Sequence, residues 1–122
     1  MRSVDREQRL RRAYAGFNDR DVEAVLSLMT PEVDWPNAWE GGRLRGHDAV
    51  RDYWTRQWAS IDPTVEPLAF TTRPDDRVAV EVRQVVRALD GTPMQEGTVL
   101  HVYAFAGDLI ERMDVEEALG AG

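Results

Sequence analysis

The chain of 122 residues contains no cysteine, so disulfides, thiol nucleophiles and thiolate metal sites are excluded together. It contains no lysine either, since all 15 basic residues are arginine. Schiff-base chemistry, pyridoxal phosphate attachment and a phosphate-loop lysine are thereby ruled out. No apolar run reaches the roughly 18 residues of a membrane span, and the stretch "MRSVDREQRLRRAYAG" is charged where a signal peptide needs its apolar segment. A cytoplasmic protein without membrane contact is expected. Positive charge is also in deficit. A formal net charge of −7 argues against nucleic acid as a partner, because a phosphate backbone needs a concentrated basic surface. The group Arg2, Arg6, Arg9, Arg11 and Arg12 is interrupted by Asp5 and Glu7 and reads as a solvated helix face. Two histidines, His47 and His101, are the only side chains that titrate near neutrality unperturbed. They are far apart and lack carboxylates at ligand spacing, so no metal and no organic cofactor is expected.

What is present fits one domain over residues 1–122. The chain is 43% hydrophobic, enough for a single core and too short for two. Leu10, Ala13, Tyr14 and Phe17 share one face of a helix over residues 4–17. Asp21 is placed to cap a second helix, Val22 to Met29, whose apolar positions again share a side. A short strand follows around Val33 to Trp35, then a glycine-bearing loop, "NAWEGGRLRG", with a brief strand near Arg43 to Arg45. A third helix from Asp48 carries Val50, Tyr53, Trp54, Gln57 and Trp58 at core-facing spacing. His47 is expected at the surface. The remainder reads as four strands, Thr64 to Thr72, Val78 to Leu89, Met94 to Phe105 and Leu109 to Glu116, joined by "RPDD", "DG" and "GD" turns. Helices followed by an antiparallel meander make an α+β fold with the helices on one face of a curved sheet. A concave, partly apolar space between the layers is then the natural ligand site.

The two tight turns set a register. If Asp90-Gly91 is a two-residue loop, Leu89 faces Thr92, and carrying the pairing along places Val80 opposite His101, Val82 opposite Val99 and Val78 opposite Tyr103. His101 then points into the apolar layer. If Gly107-Asp108 is a second such loop, Ala106 faces Leu109 and His101 lies directly opposite Asp114, with Tyr103 facing Arg112 and Val99 facing Glu116 on the same inward side. A slip of one residue would bring Met113 inward in place of Asp114. An imidazole and a carboxylate in that arrangement can hydrogen bond and pass a proton to a bound molecule. The same arrangement also occurs as a satisfied polar cluster, and both readings stand at this level. Trp35 and Trp39 flank Asn37 near the expected pocket mouth, where a flat apolar ligand could stack, and Tyr14 could donate to a carbonyl. The outward face carries Glu81, Arg83, Arg87, Thr98, Leu100, Val102 and Ala104. An apolar centre with charged margins fits a homodimer formed sheet to sheet.

"RRAYAGFNDRDVEAVLSLMTPEVDW", "GHDAVRDYW" and "HVYAFAGDLIERMDVEEAL" together resemble the nuclear transport factor 2-like superfamily, and within it the SnoaL-like domains, over nearly the whole chain. The resemblance implies a cone: three helices packed into a strongly curved, mostly antiparallel sheet, a cystatin-like α+β roll with a deep pocket, commonly a homodimer. The polyketide cyclases of that group carry an acid/base Asp on the last strand within Glu-x-x-Asp and a His on the strand before. Glu111 and Asp114 match that pattern and His101 falls at the His position, while Arg112 and Met113 stand where His-Trp is common. Ketosteroid isomerases share the fold and use a Tyr, a basic Asp and a protonated Asp. Against them Ala13 aligns with the Tyr, Tyr14 lies one step away, Asn37 falls near the base and His101 takes the oxyanion position. The Asp-Arg-Asp set of limonene epoxide hydrolase-like members is replaced by Val82, Gln84 and Val86, with Arg83 turned outward.

Two functions follow. In the first, a cofactor-independent cyclase or isomerase moves a proton beside a carbonyl, with Asp114 as base, His101 as partner or oxyanion donor, and Tyr14, Trp35, Asn37, Trp39, Tyr103 and Arg112 around the substrate. In the second, a dimer binds a small apolar or carbonyl-bearing molecule without chemistry.

Overall fold

A computed structural model describes residues 3–37 and 41–117. The chain runs α1 (Ser3–Asn18), α2 (Val22–Leu26), β1 (Met29–Pro36), β2 (Arg43–Arg45), α3 (His47–Ser60), β3 (Asp62–Thr72), β4 (Val78–Arg87), β5 (Pro93–Ala106) and β6 (Leu109–Glu117). The six strands form one sheet in the order β2-β1-β6-β5-β4-β3. The pairing of β1 with β6 is parallel and the rest are antiparallel. This is the α+β architecture expected, with a curved sheet around three helices. No helix among the described residues is long and apolar enough to cross a membrane.

The apolar stripe of α1 is buried as its spacing predicts, with Leu10, Ala13 and Tyr14 in the core. Its last turn meets α2 so closely that a Cβ on Gly16 would lie 2.8 Å from Val25 Cγ2; only glycine fits that crossing. Asp21 does cap α2, accepting from the Ala24 N–H at 3.3 Å. The helix is shorter than its apolar spacing suggested. Met29 fits the helical stripe, yet it is buried as the first residue of β1, paired with Ile110. Tertiary pairing outweighs a local periodicity of one turn. Pro31, which has no N–H to give, is tolerated because β2 pairs only with Asp34, Trp35 and Pro36. His47 is half-buried rather than exposed, with Nε2 3.2 Å from the Met29 carbonyl.

The sheet is bent by bulges, each an extra residue on one strand. Leu68 is the extra residue in β3, Met94 in β5 and Glu111 in β6. Leu68 and Met94, two of the large apolar side chains left exposed, owe their position to these irregularities. At the β4–β5 hairpin the loop is longer than two residues: Ala88 N–H donates to Thr92 O at 2.8 Å and Gly91 takes φ +93°. The bulge at Met94 cancels that offset, so Val78 faces Tyr103, Val80 faces His101 and Val82 faces Val99 as the sequence predicts.

The β5–β6 hairpin departs from expectation in the opposite way. Ala106 pairs with Leu109 and Phe105 with Ile110, as the Gly107-Asp108 turn requires. The extra residue at Glu111 then shifts everything beyond it by one. Tyr103 faces Met113, Val102 faces Asp114 and His101 faces Val115. A one-residue slip exchanges the two faces of a strand. Met113 is therefore core, while Arg112, Asp114 and Glu116 lie on the outer face with Val102 and Leu100.

Candidate functional site

The helices do not fill the concavity of the sheet. A pocket of about 490 Å³ remains between α1, α3 and the inner sheet face. Its apolar wall includes Phe17, Trp35, Trp54, Val65 and Met113. The rings of Trp35 and Phe17 each meet Trp54 edge-on with centroids 5.4 Å apart, an arrangement that favours aromatic packing. Exposed Met94 and Val115 also line the pocket and mark its open side. Three residues of α1 and β5 bring polarity to its inner end. Tyr14 sits on the buried stripe of α1, and His101 and Tyr103 alternate inward along β5.

These three groups form one hydrogen-bonded chain. The Tyr103 hydroxyl donates to the Tyr14 hydroxyl at 2.8 Å, and the Tyr14 hydroxyl lies 2.9 Å from His101 Nδ1. The Tyr14 and His101 rings stack with centroids 5.9 Å apart. With Tyr103 donating, the Tyr14 proton goes to Nδ1 and the ring hydrogen of a neutral His101 sits on Nε2. Nε2 makes no hydrogen bond to the described residues. Burial sets the charge state of the chain. It lowers the His101 pKa to about 4, raises Tyr103 despite an opposing effect of its hydrogen bond with Tyr14, and raises Tyr14, with Tyr103 adding to the effect. All three groups are neutral at neutral pH.

Among the other expected site residues, the structure brings some to the pocket and leaves some out. Tyr14, Trp35, His101 and Tyr103 line it. Asn37 is buried outside the lining, where its backbone carbonyl accepts from Gly41 N–H at 2.9 Å and its N–H donates to Gly42 O at 3.1 Å. Trp39 lies outside the described residues. Asp114 and Arg112 do not reach the pocket, because the Glu111 bulge turns them to the outer face. There Asp114 accepts from Arg112 Nε (2.8 Å), Arg112 Nη2 (3.0 Å) and Arg43 Nη1 (3.1 Å). Arg43 and Arg112 also hold Asp34, at 2.7 and 3.0 Å. These arginines, Arg112 first, keep the Asp114 carboxyl below the usual carboxylate range. The result is an ion network tying β2 to β1 and β6, and the expected meeting of His101 with Asp114 does not occur.

Sequence reasoning passed over Gln84 and Gln95 as pocket groups, although both line the cavity with Gln57, Tyr53 and Thr64. The β4 alternation already places Gln84 inward. The β5 alternation likewise sets Gln95, paired with Val86, on the face of His101 and Tyr103. Among the described residues no group of three or more His, Asp or Glu is placed to hold a metal ion.

The profile of the SnoaL-like domain family matches residues 10–113. Among solved structures, TerC co-crystallised with polyporic acid is 26% identical, with a TM-score of 0.80 over 93% of this chain and 92% of that one. A provisional polyketide cyclase from Xanthomonas campestris pv. campestris is 17% identical, with a TM-score of 0.80 over 95% of this chain and 92% of that one. A hypothetical protein of ketosteroid isomerase-like fold from Catenulispora acidiphila, in complex with trimethylamine, is 16% identical, with a TM-score of 0.76 over 93% and 87%. At such identities the last two show a shared fold. No curated protein matches the chain by sequence.

Proposed function

Because this chain belongs to the SnoaL-like domain family, we propose that it binds a small, largely apolar molecule through a carbonyl or hydroxyl oxygen placed against His101. The observation that carries this reading is the Tyr103–Tyr14–His101 chain in the wall of an otherwise apolar pocket. Burying polar groups is costly unless they are bonded. Here they bond one another and leave one donor, Nε2–H, for a ligand. The volume of the pocket lies in the range of small-molecule sites, and TerC, a relative of this fold, was crystallised with a small molecule.

The test compares 2-acetylnaphthalene with 2-ethylnaphthalene, which has nearly the same shape and no carbonyl, by calorimetry on the wild type and on His101→Leu. The ketone should lose roughly tenfold or more in affinity on substitution, the worth of one buried hydrogen bond, and the hydrocarbon should lose little. Equal losses for both compounds would remove His101 as the polar anchor.

A second reading, proton transfer beside a carbonyl in a cyclase or isomerase, is favoured by one feature: the Tyr14 bond to Nδ1 fixes the ring, as an orienting partner does for a catalytic imidazole. His101 takes the place of Asp114 as acid or base in that reading. A base with a pKa of about 4 is far from the value near the working pH that general base catalysis favours, so binding is the reading we prefer. Solvent deuterium incorporation next to the carbonyl of a bound ketone, lost in His101→Leu, would reverse that preference.

We also propose a homodimer through the outer sheet face. Leu100 and Ala104 are half-exposed there beside buried Val102, with Arg83–Glu96, Arg73–Glu116 and Arg112–Asp114 pairs around them. An apolar centre and charged rim suit an isologous contact. Sedimentation should give a dimer for the wild type and a monomer for Leu100→Glu; a wild-type monomer at micromolar concentration would contradict it.

A further inference from the structure

The chain is 30% charged, yet none of the described residues lining the pocket is an aspartate, glutamate or arginine. Its polar lining is made of neutral groups drawn from five elements: Tyr14 from α1, Tyr53 and Gln57 from α3, Thr64 from β3, Gln84 from β4, and Gln95, His101 and Tyr103 from β5. The walls from β1 and β6 contribute Trp35, Met113 and Val115, which cannot ionise. Arginines on or beside the elements that build the pocket are engaged elsewhere. Arg43 and Arg112 hold Asp34 and Asp114 on the outer face, and Arg20 pairs with Asp62 while lying over the Phe17 and Trp58 rings.

We propose that the pocket takes its ligand only in the uncharged form, so that ionisation of a weakly acidic ligand, such as a phenol or an enol, expels it. This rests on the reading of the pocket as a binding site. An anion entering it would be stripped of water without meeting a cation. The two hydroxyls beside His101 are already committed, Tyr103 to Tyr14 and Tyr14 to Nδ1. The donors that remain, His101 Nε2–H and the amides of Gln57, Gln84 and Gln95, are all neutral, and hydrogen bonds from neutral groups are worth less than the desolvation of an ion. A neutral carbonyl or hydroxyl needs only one such bond. The groups of the pocket keep their own charge state across neutral pH, since burial lowers His101 to about 4 and raises Tyr14 and Tyr103. Any change in affinity across that range therefore reports the ligand.

The test uses 4-nitrophenol, which ionises near neutrality, and 4-nitroanisole, its methyl ether, which cannot. Both are titrated into the wild-type protein by calorimetry at about pH 5.5 and about pH 8.5, a range clear of the titration of the pocket's own groups. The expected result is unchanged affinity for the ether and at least about tenfold weaker binding of the phenol at the higher pH. The absorbance titration of the bound phenol should move up by at least about one pH unit, the same tenfold preference seen spectroscopically. Phenol binding that is unchanged or tighter once ionised, with the ether binding normally, overturns the charge selection and leaves the binding site standing. Failure of both probes to bind at either pH overturns the binding site and the selection together.

Discussion

Replacing Asp114 by asparagine separates the outer-face network from the pocket. The carboxylate accepts three hydrogen bonds from two arginines, at 2.8, 3.0 and 3.1 Å, and its side chain is 29% exposed. Arg112 is 48% exposed, so its share is screened by solvent and counts at the level of a surface pair, roughly 0.2–1 kcal/mol. The Arg43 contact bridges two strands, is better shielded and adds a comparable amount. The asparagine amide keeps the shape and one acceptor, so the loss of stability should be about 0.4–2 kcal/mol, or roughly 2–8 °C in Tm for a chain of this size. Urea melts of the two proteins at neutral pH measure it. The pH dependence has a definite sign. The folded carboxyl titrates below its unfolded value, so its contribution is complete above the unfolded pKa of about 4 and fades as pH falls through the folded one. The gap between wild type and Asp114→Asn should therefore close in acid. Ligand affinity should stay within about twofold, because the residue does not touch the pocket. A variant with unchanged Tm that no longer binds the ketone would refute the register drawn for β6.

Three further perturbations probe the elements that build the site. Tyr14→Phe removes the middle member of the buried chain, leaving His101 Nδ1 and the Tyr103 hydroxyl without their partner, and should cost about 1–3 kcal/mol in denaturant melts; a neutral effect would mean the chain is not formed. Gly16→Ala places a Cβ within 2.8 Å of Val25 Cγ2 and should destabilise by about 1 kcal/mol or more, with Val25→Ala relieving part of the clash in a double-mutant cycle; simple additivity would argue against the close crossing of α1 and α2. Deleting Glu111 removes the extra residue but leaves Met113 opposite Tyr103 and Asp114 opposite Val102, so the deletion should still fold cooperatively, whereas inserting an alanine after Arg112 would send Met113 outward and Asp114 toward the apolar layer and should not. A cooperative insertion variant, or a deletion that does not fold, would contradict the register drawn for β6.

Much of the fold was legible because its signals are periodic. The stripe of α1, the Asp21 cap and the core face of α3 follow from spacing and capping chemistry that no distant contact overrides. The site was legible only on β5 and α1, where Tyr14, His101 and Tyr103 sit inward on regular elements. Asp114 was misplaced because a bulge is a decision of the sheet as a whole. Glu111 carries no sign that it will be skipped, and an acidic residue at the right distance from a tight turn reads the same with or without the slip. The β4–β5 hairpin shows the converse, since two irregularities cancelled and the simple register held. The parallel pairing of β1 with β6 was out of reach for a related reason, because Met29 serves a helical period and a strand equally well. The resemblance to the SnoaL-like cyclases reinforced the expectation for Asp114 through its Glu-x-x-Asp pattern, and it is the register of this chain that turns that pattern outward.

The central claim is that His101, held neutral and aimed by Tyr14, is the polar anchor of the pocket. Nitrogen-15 NMR of the histidine side chains between about pH 4 and pH 8 addresses it directly. His101 should remain an Nε2–H tautomer as pH falls through neutrality and take up a proton only near pH 4, and its Nε2 signal should move on addition of 2-acetylnaphthalene while Nδ1 holds still. A His101 that is cationic at pH 7, or whose Nε2 signal ignores the ketone, would contradict the account.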